Sequence, residues 1–202
     1  KEDNNKILKL LSFNPPNQLV DKIITKNQIS IALVSKETSF WSYIYSQNTF
    51  DYCINQNALI FPEHLVPLIY NYDLYPLELY LENKGEVNYL NDKGNILHIL
   101  CQDTGNLKFE EMNLLIDYCP DLAIQTNKQN KFPVSYLISD FNKICKKYKE
   151  NMNTNNKKTL DKYYSLIKNM FQCGLQTDNK KAYNILESQL LNYDNIIEVC
   201  PD

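Results

Sequence analysis

The side chains with the most chemical potential in this chain are its two histidines, His64 and His98, and its six cysteines at positions 53, 101, 119, 145, 173 and 200. A neutral imidazole suits general-base catalysis or metal ligation. A zinc site needs three or four close-spaced ligands, however, and neither histidine has them nearby in sequence, while no two cysteines form a Cys-x-x-Cys pair. The cysteines read as small buried apolar residues of a chain kept in a reducing cytosol. Nucleophilic catalysis requires a Ser, Cys or Thr with a base and an orienting group, and no nucleophile-elbow pattern is present. Gly94-Asn95 and Gly105-Asn106 are isolated, so no glycine-rich loop could cradle a phosphate. Glu78 and Glu82 stand four apart on one helical face and are read as a solvated outer surface, not as an acid/base pair. No catalytic residue, cofactor or metal is therefore expected, and the chain is not expected to be an enzyme.

Charge narrows the partner classes. The 202 residues carry 21 basic groups, every one a lysine, against 24 acidic ones, for a net charge of −3. Arginine is the residue that reads guanine edges and clamps phosphates in pairs, so its absence from a mildly acidic chain argues against nucleic-acid recognition. The run Lys146-Lys-Tyr-Lys149, with Lys157-Lys158 beyond it, could dock an acidic partner or a membrane surface, but it is interrupted by asparagines and reads as part of a flexible insert. Asn, Lys, Ile and Tyr are over-used together, which is the signature of AT-rich coding, so the many tyrosines need no functional reason. The densest group, Tyr70, Tyr72, Tyr75, Tyr80 and Tyr89, is nevertheless a possible contact region, because tyrosine offers rigid area with a polar tip. The apolar stretches at 29–34 and 65–70 fall far short of the roughly 20 residues that a spanning helix needs, so no membrane insertion is expected. Residue 1 is a lysine, which leaves the native start and any targeting signal open.

The elements that must position these residues repeat. With 44% apolar and 22% charged residues the chain has the material for a folded core. Two glycines, Gly85 and Gly174, follow amphipathic helical runs, Tyr75 to Lys84 and Tyr163 to Gln172, where a left-handed cap would end a helix. The run Leu114 to Cys119 stops at Cys119-Pro120-Asp121. After each stop comes a polar hairpin-like stretch that runs into a helix opening: Asn91-Asp-Lys-Gly-Asn-Ile-Leu-His98 after Gly85-Glu-Val-Asn88, one residue shorter than the next copy, and Asn127-Lys-Gln-Asn-Lys-Phe-Pro-Val-Ser135, with a helix starting at Phe132-Pro133, after Cys119-Pro-Asp-Leu-Ala123. Proline is tolerated at the first helical position, where its missing N–H would be unpaired anyway. One copy upstream stands Phe61-Pro-Glu-His64, and its histidine lies 34 positions before His98. Thr38-Ser-Phe-Trp41 reads as a worn earlier copy, and Tyr183-Asn-Ile-Leu186 as a final partial one ending near Cys200. Before about residue 55 only helical segments are legible, among them Lys6 to Leu11 and Gln18 to Ile24.

Residues 56–202 resemble ankyrin repeats, whose period is about 33 residues and whose inner helix opens with Thr-Pro-Leu-His. The threonine is replaced in every copy after Thr38, and the stretch near 142–158 is a Lys/Asn-rich insert, so the resemblance is to a divergent member. Irregular helix pairs of the armadillo or TPR kind are the alternative architecture. The resemblance implies an all-α solenoid with short hairpin fingers, preceded by an N-terminal helical region (1–55) that is a worn or capping repeat. It implies that the two histidines hydrogen-bond to neighbouring backbone and tie adjacent repeats together. It also implies an interaction module with a protein partner held on the concave face; a cytoplasmic location, read from the cysteines, and a monomer are expected. By position, the contacts would come from finger residues Tyr89, Asp92, Lys93, Gln125, Lys128 and Gln129 and from inner-helix residues Ile99, Asp103, Tyr136 and Asp140. A regulatory or targeting segment of a larger enzyme or effector, and a structural subunit of a large assembly, are the competing functions.

Overall fold

Apolar residues spaced three and four apart dictate the local structure, and helices follow wherever the spacing persists. The computed structural model of the protein describes residues 2–11, 13, 15–26, 31, 35–36, 38–72, 74–103, 105–150 and 154–175. Among them the protein is all-α, mostly helical and without a strand. In chain order the helices are α1 (Glu2–Leu11), α2 (Asn17–Lys26), α3 (Thr38–Trp41), α4 (Gln47–Asn55), a 3₁₀ turn (Pro62–His64), α5 (Leu65–Asn71), α6 (Tyr75–Glu82), α7 (Ile96–Gln102), α8 (Phe109–Tyr118), α9 (Asp121–Ile124), α10 (Pro133–Glu150) and α11 (Thr154–Leu175). No described helix is long and apolar enough to cross a membrane. The copy expected around Tyr183 to Leu186, ending near Cys200, lies outside the described residues, as does most of the 29–34 apolar stretch.

The chain divides into two compact units, Lys1–Glu86 and Val87–Asp202. In the first, Ile7 and Leu11 of α1 and Val20 and Ile24 of α2 join Phe40, Trp41, Phe50 and Cys53 in one core. Trp41 is its centre: fully buried, it makes an edge contact with Phe40 at 5.3 Å and a tilted one with Phe50 at 5.7 Å. Its indole N–H lies 3.2 Å from both the Ser35 and the Leu59 carbonyls, so a large apolar ring is buried with its one polar group satisfied. The tyrosine group does not form a single surface. Tyr72 and Tyr80 are core residues whose hydroxyls donate to the carbonyls of Ser46 (3.2 Å) and Glu86 (2.7 Å), whereas Tyr75 is exposed against Asp51. Glu78 and Glu82 are both exposed on α6.

In the second unit α7 packs against α8 and α10, α10 against α11, and α8 against α11. One helix pair thus lies on the next, first helix facing first and second facing second. Leu97, Leu100 and Cys101 of α7, Met112, Leu115 and Ile116 of α8, Val134 and Leu137 of α10 and Leu166, Ile167 and Met170 of α11 are buried. The described residues of the Lys/Asn-rich stretch near 142–158 are helical. They extend α10 and open α11, because Phe141 and Cys145 continue the buried face of α10 and Leu160 and Tyr163 that of α11.

The helix ends correct one expectation. At the end of α6 the left-handed residue is Lys84 (φ 57°), not Gly85. The Lys84 amide donates to the Leu81 carbonyl (2.9 Å) and the Gly85 amide to that of Tyr80 (3.0 Å), which is the pair of bonds of a Schellman cap with glycine one place beyond the left-handed site. The same cap ends α4, with Asn57 at φ 58°, the Asn57 amide on Ile54 and the Ala58 amide on Cys53, both at 3.0 Å. Gly85 is glycine for another reason: a Cβ there would collide with the Tyr80 ring. Gly174 lies inside the last turn of α11, which runs on to Leu175. The α8 stop is an extended Cys119 followed by Pro120 at the start of α9.

These caps make opposite predictions for neighbouring residues. Lys84→Gly removes left-handed strain and should stabilise the protein by about 0.5 kcal/mol, the gain being partly offset by a more flexible unfolded chain. Gly85→Ala should destabilise it by about 2 kcal/mol, because the Tyr80 ring must move. Urea unfolding followed by circular dichroism separates the two, and equal shifts in the same direction would refute the cap assignment.

Candidate functional site

Two short polar loops project from the second unit, residues 88–94 before α7 and 125–131 before α10. The first closes at Asn91 and Gly94, whose amides each donate to the other's carbonyl (3.0 and 3.1 Å), while Asn91 Oδ1 accepts from the Lys93 amide (2.8 Å). Gly94 has φ 113° and a Cβ on it would sit 2.5 Å from the His98 ring, so both the turn and the packing require glycine. The second closes at Asn127. Its amide donates to the Lys131 carbonyl (3.0 Å), and its carbonyl accepts from Asn130 (2.9 Å), which takes the left-handed conformation. Its side-chain oxygen accepts from the amides of Gln129 (2.9 Å) and Lys131 (3.1 Å), and its side-chain nitrogen donates to the Tyr136 hydroxyl (2.9 Å). An asparagine that folds its own loop in this way is an Asx turn.

Asn95 and His98 lock the first loop to the second. Asn95 caps α7 by accepting from the His98 amide (3.2 Å), and the Asn95 amide donates to His98 Nδ1 (3.2 Å), a reciprocal capping box. Nδ1 thereby accepts, which leaves the ring proton on Nε2, where it points at the Lys131 carbonyl 2.9 Å away. Asn95 Nδ2 donates to the Leu122 carbonyl (2.8 Å) and to Gln125 Oε1 (2.9 Å), and Gln125 Nε2 donates onward to Asn88 Oδ1 (2.6 Å). At the tips, Lys128 pairs with Asp92. Both groups are mostly exposed, so this bridge orients the tips more than it stabilises them; the Lys128 ammonium holds the Asp92 carboxyl below its usual range. His98 is fully buried, and burial lowers its pKa, although the Lys131 carbonyl works in the other direction. Asn95 Oδ1, 2.9 Å from Nδ1, would also favour a second proton, but burial outweighs it.

Below the loops a groove of about 320 Å³ runs between α7 and α10, lined by Cys101, Gln102, Lys131, Ser135, Tyr136, Ser139, Asp140 and Lys143. Asp140 is engaged at both oxygens, by the Tyr163 hydroxyl (2.9 Å) and the Lys143 ammonium (3.2 Å). The Lys131 ammonium lies 5.5 Å from the centre of the Tyr136 ring.

The ten residues expected to meet a partner divide into two groups. Tyr89, Asp92, Lys93, Lys128 and Gln129 are exposed on the two loops, and Asp103 is exposed at the end of α7. Gln125, Tyr136 and Asp140 are instead held by bonds to Asn95 and Asn88, to Asn127, and to Tyr163 and Lys143, and Ile99 is half-buried. Tyr136 and Asp140 still line the groove. Sequence reasoning missed Asn95, Asn127 and Lys131, the residues that fix the loops. Their signal was position: Asn95 fills the place of the motif threonine, and Asn127 stands two before Gln129, where an Asx turn begins.

In the first unit the corresponding histidine behaves differently. His64 Nδ1 accepts from the Phe61 amide (3.1 Å), but the Phe61 ring cannot return the bond as Asn95 does, and it stacks edge-on at 5.3 Å. His64 Nε2 is buried with no hydrogen-bond partner among the described residues. Burial lowers the His64 pKa, against the opposing pull of Glu63 and of the Leu59 and Lys36 backbone. Burial also pushes the Cys53 thiol up to about 12 and raises those of Cys101 and Cys173, so these thiols stay protonated at neutral pH. Among the described residues, no three His, Cys, Asp or Glu side chains come together as a metal-binding group. No family model matches this chain, and comparison with curated proteins and with solved structures found no match.

His98→Ala takes one of the two donors from the Lys131 carbonyl, which keeps the Asn127 amide, orphans the buried Asn95 amide and opens a cavity, and should destabilise the protein by about 3 kcal/mol in chemical denaturation. Proton linkage gives a second test. The folded pKa of His98 lies below the ordinary 6.5, so the unfolded chain binds the extra proton first; the stability contribution is full above about pH 6.5 and declines as pH falls toward the folded value. The unfolding midpoint should therefore drop between pH 7.5 and 5.5, and the drop should be smaller in His98→Gln; an equal drop in both proteins would exclude this role.

Proposed function

We propose that this chain is a non-catalytic protein–protein interaction module, a divergent ankyrin-like solenoid that holds a partner against its two loops and the groove below them. The observation that carries the reading is the His98 bond to the Lys131 carbonyl, which joins one helix-opening motif to the residue just before the next. A histidine tying a motif to its successor is what the resemblance to ankyrin repeats implies. The pair-on-pair packing of α7/α8 and α10/α11 supports a stack in which each pair buries its apolar side against its neighbour. The tips, fixed by their own hydrogen bonds, present Tyr89, Lys93 and Gln129 outward, and a pre-ordered surface loses little entropy on binding.

The buried thiols of Cys53, Cys101 and Cys173, and the lack of any disulfide among the five described cysteines, favour a reducing compartment, and we place the module in the cytoplasm.

The test uses residues outside the hydrogen-bond ladder. A Tyr89→Ala/Lys93→Ala/Gln129→Ala variant should keep the wild-type helical signal while its affinity for the partner, identified by affinity purification and then produced recombinantly, weakens at least tenfold. Undiminished binding by the triple variant would remove the loop surface from the interaction.

A further inference from the structure

We propose that the groove between α7 and α10 recognises an acidic side chain of the partner, its carboxylate being received by Lys131, Lys143 and the hydroxyls of Ser135 and Ser139. This rests on the reading of the second unit as an interaction module and adds the chemistry that its groove selects.

The argument is one of hydrogen-bonding capacity left over. Ser135 and Ser139 stand one helical turn apart on the groove side of α10, with Lys143 one turn further. A helical serine usually returns its hydroxyl to the carbonyl four residues back. Here neither hydroxyl has a partner among the described residues. Lys143 gives one bond to Asp140, and an ammonium has three to give. Lys131 has no carboxylate partner among the described residues; it rests over the Tyr136 ring, which steers its stem along the groove wall. The one acidic group, Asp140, is no competitor for a ligand cation, because both of its oxygens are already occupied. Two ammonium groups therefore face one neutralised carboxylate, so the charged capacity left over is all donor, and each serine hydroxyl can turn its proton to an acceptor beside them. An acceptor-rich anion fits that surplus, and a cation or an apolar side chain does not. Lys131 also anchors the second loop, but through its backbone amide and carbonyl, so its side chain is available without cost to the ladder.

The experiment titrates the full chain with a fluorescent decaglutamate peptide, with decaglutamine as the uncharged control. Decaglutamate should bind saturably and salt-sensitively, decaglutamine should not, and amide resonances of Ser135, Tyr136 and Ser139 should shift in the unmutated protein. Lys131→Gln/Lys143→Gln should weaken binding about tenfold and Ser135→Ala/Ser139→Ala about threefold, whereas Lys157→Gln/Lys158→Gln on exposed α11 should change it less than twofold. No saturable binding, resonance shifts confined to other helices, or equal weakening by the two lysine pairs would overturn the proposal. Such a result, with loop-dependent partner binding intact, leaves the module reading standing; partner binding indifferent to the loop variant fails that reading separately.

Discussion

A single ring nitrogen organises the polar structure of the second unit. His98 Nε2, on a fully buried ring, reaches the Lys131 carbonyl across 33 residues of chain at a part-buried site. The same carbonyl accepts from the Asn127 amide that closes the second loop, so one acceptor joins the buried ring of α7 to the loop before α10. With one proton on the ring, Nε2 donates and Nδ1 accepts. Asn95 supplies the amide that occupies Nδ1, and burial keeps the second proton away. Capping a helix, choosing a tautomer and joining two motifs are therefore one arrangement of two side chains.

The rest of the surface depends on that joint. Asn95 extends it through Gln125 to Asn88, and Asn127 folds the second loop while holding the Tyr136 hydroxyl at the groove edge. Gln125 and Tyr136, which look available in sequence, are held by this ladder, whereas Tyr89, Lys93 and Gln129 keep exposed side chains. The first unit uses related means with different residues. Trp41 occupies the motif place of His98, and its indole N–H reaches forward to the Leu59 carbonyl, two residues before the next motif. At Trp41 and His98 a ring N–H is aimed at a backbone acceptor, a bond that indole can make as well as imidazole.

Much of the helical layout was legible because burial is written into the chain with a period of three to four residues. The runs at Lys6 to Leu11, Gln18 to Ile24, Tyr75 to Lys84, Leu114 to Cys119 and Tyr163 to Gln172 all fall on helices, and Pro133 opens α10 as its ring geometry requires. The Lys/Asn-rich stretch misled because its composition is polar while its spacing is not random: Phe141, Cys145, Leu160 and Tyr163 keep it on the core. Gly85 misled because glycine serves two needs, left-handed backbone and missing bulk. The Tyr80 ring that demands the second cannot be seen from a list of residues.

By itself, the sequence determined the helical class, the openings of α6, α7 and α10, the tight turn at Gly94 and the spacing that sets a histidine one motif ahead of its acceptor. Those properties are local, governed by backbone sterics and by periodic burial along one stretch of chain. Tertiary structure alone decided which polar groups remain unpaired. Gln125 is spent on Asn88 and Asn95, Asp140 on Tyr163 and Lys143, while the hydroxyls of Ser135 and Ser139 are left open to the groove. A hydrogen bond needs its two partners within about 3 Å of each other, and for residues 20 to 40 positions apart only the packing of helix on helix brings that about.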